Sequence, residues 1–123
     1  GYQVLFDRGA WYATFRGHGS DTPGIVEFEI ENDMFNPINA IPFQNSAINQ
    51  AYGFAVIREG TYVIVTGDSL VHVIDRAGKQ VREWEADCAP GSFEEYSVAA
   101  CDTSDRVYIA TNSSPMVIVY SEL

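Results

Sequence analysis

Four short apolar runs in succession, between residues 54 and 86, constrain this chain more than any other feature. Phe54-Ala55-Val56-Ile57 is followed by Arg58-Glu59-Gly60, and Thr61-Tyr62-Val63-Ile64-Val65 by Gly67-Asp68-Ser69. Leu70-Val71-His72-Val73-Ile74 is followed by Asp75-Arg76-Ala77-Gly78, and residues 79–86 make the fourth run. Runs rich in β-branched and aromatic residues, broken by Gly, Asp and Ser, read as strands and turns. Connections of three or four residues join antiparallel neighbours. The stretch predicts a four-stranded antiparallel meander.

The meander recurs. Ile25-Val26-Glu27-Phe28-Glu29-Ile30 lies 45 positions before Leu70-Val71-His72-Val73-Ile74-Asp75, and Met116-Val117-Ile118-Val119-Tyr120-Ser121 lies 46 after it. The second run recurs at 11–15, 61–65 and 106–110, and the first at 4–6, 54–57 and 97–100. A period near 45 residues with four strands per unit is the spacing of propeller blades. Residues 35–42 carry Pro37 and Pro42, and residues 79–84 are mixed in polarity. Both suit an outermost strand, where proline is tolerated. The second runs are apolar on both sides, which predicts cover on both faces.

The expected fold is therefore all-β, with four-stranded antiparallel propeller-like blades, about two and a half to three of them. Blade 1 spans about 1–50, blade 2 about 51–92, and an incomplete blade 3 about 93–123, in a single domain of 123 residues. A sandwich or barrel of about eleven strands is the structural alternative.

Two segments resemble the blades of NHL-repeat β-propellers: Asp102-Thr103-Ser104-Asp105-Arg106-Val107-Tyr108-Ile109-Ala110-Thr111 and Val73-Ile74-Asp75-Arg76-Ala77-Gly78-Lys79-Gln80-Val81-Arg82-Glu83-Trp84. A polar turn precedes a Val-Tyr-Ile-Ala strand. A later strand ends in Asp, turns at Gly and returns as Val-Arg-Glu-Trp. The likeness runs over roughly residues 54–121 and loosely over the first unit. The pattern is degenerate and shared with related six- or seven-bladed families. It implies a fold and says little about activity. Propellers close with four to eight blades, whereas two units and part of a third are present here. The expectation is a ring completed by other copies or another chain, or a piece of a longer polypeptide.

Charge narrows the partners. Seven basic residues stand against seventeen acidic ones, for a net −10, and Lys79 is the only lysine. Without clustered Lys or Arg, neither nucleic acid nor an anionic membrane is the expected partner. No apolar run approaches the roughly 18 residues of a membrane span. The acidity reads as a solvated surface, with a basic partner as the alternative. Cys88 and Cys101 form either a disulfide, which would point to an extracellular setting, or two free thiols. With two histidines in the chain they do not make a zinc site. No cofactor is implied.

Candidate chemistry is sparse. His72, between two valines on a strand, reads as packed or surface-exposed rather than catalytic. Glu27, Glu29 and Glu31 share one strand face and read as solvated. Asp102 and Asp105 flank a turn and read as turn caps. Asn112-Ser113-Ser114 matches the N-glycosylation sequon. There is no nucleophile elbow and no phosphate-binding glycine loop. The innermost runs offer few polar residues, which weighs against catalysis by this chain alone.

Strand alternation puts the long loop at 16–24 and the crossings near 44–50 and 87–95 on one face. His18, Asp21, Asn45 and Asn49 are therefore the candidate binding residues. The functional expectation is a non-enzymatic interaction or structural module, acting as a homo-oligomer or within a larger complex. The alternative is a carbohydrate- or small-ligand-binding propeller, hydrolase-like in form.

Overall fold

A computed structural model describes residues 4–7, 9–15, 22–48, 51, 53–57, 61–65, 70–85, 98–101, 104, 106–111 and 116–120. These form eleven strands and, among the described residues, no helix. The strands are β1 (Val4–Asp7), β2 (Ala10–Phe15), β3 (Gly24–Glu31), β4 (Met34–Pro42), β5 (Gly53–Ile57), β6 (Thr61–Val65), β7 (Leu70–Ile74), β8 (Gln80–Glu85), β9 (Val98–Cys101), β10 (Val107–Thr111) and β11 (Met116–Tyr120). Each expected strand is present, with ends displaced by at most one residue. The strands divide into three open sheets in chain order: β1-β2-β3-β4, β5-β6-β7-β8 and β9-β10-β11. All neighbours are antiparallel. The eleven strands do not close into one barrel.

The first two sheets carry the same irregularity. The β3–β4 register shifts between Glu27 and Phe28, and the β7–β8 register between Val73 and Ile74. Because side chains alternate between faces, a slip of one residue exchanges the faces. Matching the two shifts equates Glu27 with Val73, an interval of 46 rather than the 45 read from composition. Across the ladders, Tyr12 opposite Glu27 then corresponds to Val63 opposite Val73. Leu5 corresponds to Ala55.

Alternation in the second sheet builds two cores. Phe54, Val56, Tyr62, Ile64 and Ile74 turn to the first sheet, where they join Tyr12, Ile25 and Ile41. Phe43, Ile48 and Ala51, on the crossing between β4 and β5, fill the same cluster. The intervening Ala55, Ile57, Val63, Val71 and Val73 are equally buried on the other face. There β5 runs beside β9, and Val107 and Ile109 of β10 are fully buried. Burial of one such side chain contributes roughly 1.5–3 kcal/mol, so the middle sheet anchors the stack.

The expected cover on both faces holds for Tyr62, Val63 and Ile64 of β6. In β2 it holds for Tyr12 alone. Among the described residues, the first sheet has a neighbouring sheet on one face and none on the other.

Beyond Phe28, β3 pairs only with β4. Residues 29–36 thus project as a two-stranded ribbon. Asn32 and Asp33 turn its tip with φ of 53° and 60°, the primed turn that suits hairpin twist. Ile30, Met34 and Phe35 are exposed on it.

Candidate functional site

The joint between the first two sheets is where chain segments converge. Phe43 N donates to Pro23 O at 2.9 Å, so the crossing starts beside the end of the β2–β3 connection. Gln44 N donates to Gly78 O at 2.9 Å, and Gln44 Nε2 to Ala77 O at 2.9 Å. The crossing therefore also touches the β7–β8 turn. Strand alternation alone puts that turn at the other end of its sheet. The twist of a four-stranded sheet swings outer strands out of line with inner ones and brings the two together.

The β7–β8 turn is built for this contact. Asp75 Oδ1 accepts from Ala77 N at 2.9 Å and Lys79 N at 3.0 Å, the Asx pattern of a tight turn. Gly78 has φ of +84°, and a Cβ there would overlap the Pro42 carbonyl oxygen. Glycine is required at this position for conformation and for space.

Gln80 on β8 is the hub of a side-chain network. Its Oε1 accepts from Asn45 Nδ2 at 2.8 Å and lies 2.7 Å from His72 Nδ1. Its Nε2 donates to Glu83 Oε2 at 2.8 Å. An ionised carboxylate only accepts, so Glu83 fixes the orientation of the Gln80 amide. With Oε1 then facing the imidazole, His72 Nδ1 carries a hydrogen and donates it. Asn45 is oriented the same way, because its Oδ1 accepts from Ala47 N at 3.0 Å. The crossing is thereby fixed to the outer half of the second sheet. His72 is buried, the packed of the two placements open to it from sequence.

A second polar group lies in the same joint. The Tyr12 and Tyr62 rings meet edge to face at 6.0 Å, and Glu27 sits opposite Tyr12 in the ladder. Arg76 reaches back from the β7–β8 turn to Glu27, at 3.6 Å. Glu27 departs from the solvated face expected of its strand: Glu29 and Glu31 are exposed, but the Glu27 side chain is only 14% exposed. The cause is position, since Glu27 lies under the turn and the other two lie on the projecting ribbon. Burial, together with Tyr12 and Glu27 nearby, pushes the Tyr62 hydroxyl up to about 12, against a smaller opposite pull from Arg76.

The outward face of the first sheet is a surface of another kind. Phe6 and Trp11 have ring centroids 5.1 Å apart, Trp11 and Phe28 6.3 Å, and Phe28 and Phe35 4.8 Å. The four rings cross all four strands of the sheet, and Val4, Phe6, Ile30 and Phe35 are more than half exposed. At the far end of the stack, Val117 and Val119 of β11 are 62% and 51% exposed.

Of the residues singled out from sequence, Asn45 is half-buried in the Gln80 network. His18, Asp21, Asn49, Cys88 and Asn112 lie outside the described residues, as do Asp102 and Asp105. Cys101 ends β9. Among the described residues no three His, Cys, Asp or Glu side chains gather as a metal site, and no helix is long and apolar enough to cross a membrane. Gln80, Gly78 and the aromatic row were missed by sequence reasoning. The row was legible in principle, since Val4 and Phe6 alternate on one face. The role of Gln80 depends on the register shift in its hairpin. A scan against protein-family models finds no match, and no curated protein matches the chain significantly.

Proposed function

We propose that this chain is a non-enzymatic interaction or structural module of NHL-like propeller blades, and that its stack of sheets is completed by other subunits. The observation that carries this reading is the contrast in burial along the stack. The inner three strands of the middle sheet are covered on both faces, whereas the outward faces of the end sheets display large apolar side chains to solvent. Contiguous exposed apolar surface marks sites of association. Repeated units that cannot bury their faces alone need neighbours. The third sheet adds an open edge at β11 among the described residues, and open edges invite pairing. Asn45 serves here as a brace for the crossing.

Sedimentation at micromolar concentration tests the reading. The expected result is a particle heavier than the 13.6 kDa chain, or recovery of the chain in complex with another protein. A stable, compact monomer that captures no partner overturns it.

A further inference from the structure

We propose that two copies join head to tail, the outward face of the first sheet in each copy packing on the outward face of the third sheet in the other. The proposal rests on the reading of the chain as a stack completed by subunits, and it names the occupant and the faces.

The argument comes from positional equivalence. With the register shifts of the first two sheets matched, Val4, Ala13 and Val26 correspond to Phe54, Ile64 and His72. Phe6, Trp11 and Phe28 correspond to Val56, Tyr62 and Ile74. The second set forms the face of the middle sheet that packs on the first. The exposed face of the first sheet is thus, position for position, a face that inside the molecule is covered by the preceding sheet.

The third sheet supplies the complement. Val107 and Ile109 point inward to the middle sheet, so by alternation Tyr108 and Ala110 point outward. Their ladder partners Val119 and Val117 share that outward face. By stacking order this face occupies the role of Val63, Val71 and Val73, which cover the next sheet along. Each end of the stack therefore offers what the other end lacks.

The faces also differ in shape. One is a row of aromatic rings and the other is built of Ala and Val around one Tyr, so bulky side chains meet small ones. Packing the first sheet on its own copy would oppose two aromatic rows. A contact between unlike faces is heterologous and closes into a ring when the rotation permits. The named residues on both faces are uncharged while the chain carries −10, so association should strengthen with salt as mutual repulsion is screened.

The test uses Phe6→Asp and Val119→Asp, at positions 59% and 51% exposed, where the isolated fold loses little. Sedimentation equilibrium is run on the wild type, on each variant and on their equimolar mixture, with circular dichroism to check folding. The wild type is expected at twice the chain mass. Each variant should associate more than about a hundredfold more weakly, because a charge is buried at the contact. The mixture should recover two-copy particles, since the first sheet of the Val119→Asp chain still fits the third sheet of the Phe6→Asp chain. If either variant misfolds, Val4→Asp and Val117→Asp replace the pair. A dimer indifferent to Val119→Asp, or a mixture that fails to recover, overturns the head-to-tail contact and leaves the assembly reading standing. A monomeric wild type that captures no partner overturns both.

Discussion

The first and second sheets have the same strand order, the same strand number and the same register shift, yet they live in different surroundings. Every residue of β5 is buried, whereas β1, its counterpart, alternates between exposed and half-buried. The rings of Phe6 and Trp11 stand where Val56 and Tyr62 stand one unit later. The residue types at these positions are alike, so composition does not cause the difference. The number of neighbouring sheets does.

The largest test of this contrast is a pair of truncations. Phe54→Ala, in the covered sheet, should lower unfolding free energy by about 3–5 kcal/mol. Phe6→Ala, in the open one, should cost below about 1 kcal/mol. Both are read from urea denaturation at concentrations low enough to keep copies apart. Equal losses would mean that the first sheet is as well covered as the second.

Two glycines sharpen the comparison next. Gly9 and Gly78 have φ of +82° and +84°, but nothing lies within 4 Å of a Cβ at Gly9. Gly9→Ala should cost about 1 kcal/mol, from backbone strain alone. Gly78→Ala adds a collision with the Pro42 carbonyl and should cost about 3 kcal/mol. Thermal melts of the two variants separate strain from contact between sheets.

Tyr62 gives a pH-dependent version. Its hydroxyl pKa is raised from 10.0 to about 12 in the fold. Below pH 10 the tyrosine is protonated in both states and its contribution is fully present. Between pH 10 and about 12 the unfolded chain ionises first, so stability falls as pH rises. The loss reaches about 2–3 kcal/mol at the top of that window. Urea midpoints at pH 9 and 11.5 should show Tyr62→Phe losing less than the wild type by a comparable amount. A parallel decline would show that the buried hydroxyl is not responsible.

The last and most local effect is at Gln80. Gln80→Ala removes the acceptor of the Asn45 bond, which ties the crossing to the second sheet, and of the His72 bond within that sheet, at a cost of about 1–2 kcal/mol. Nitrogen-15 spectra of His72 should report Nδ1 protonation in the wild type and a changed Nδ1–H environment in the variant. An unprotonated Nδ1 in the wild type would reverse the donor assignment.

Much of this architecture was legible before any coordinates. The order of strands, their antiparallel pairing and the outer position of the proline-bearing strand follow from alternation and turn residues. Faces were harder. The interval of 45 between Ile25 and Leu70 rests on residue type, and Val, Ile and Leu are interchangeable in such a comparison. Only the shifts at Glu27 and Val73 fix the phase. The candidate site was less legible still. Asn45 was recognisable as a polar residue on a crossing, but its partner Gln80 lies 35 positions away, in register only because of the hairpin irregularity. Nothing in the local pattern of Glu27 distinguishes it from Glu29 until the β7–β8 turn covers one of them.

The seat of the crossing bears on the order of events in folding. Each flanking hairpin closes over few residues, and the cost of closure grows with the length closed. Gln44 and Ala77 are 33 positions apart, and their bond requires the end of one hairpin and the turn of another in finished form. The seat therefore closes only after both hairpins exist. Gly78 belongs to the turn as well as to the seat, so strain there weakens the β7–β8 hairpin and the contact it carries together. One substitution at Gly78 would therefore disturb a local turn and a long-range joint at once.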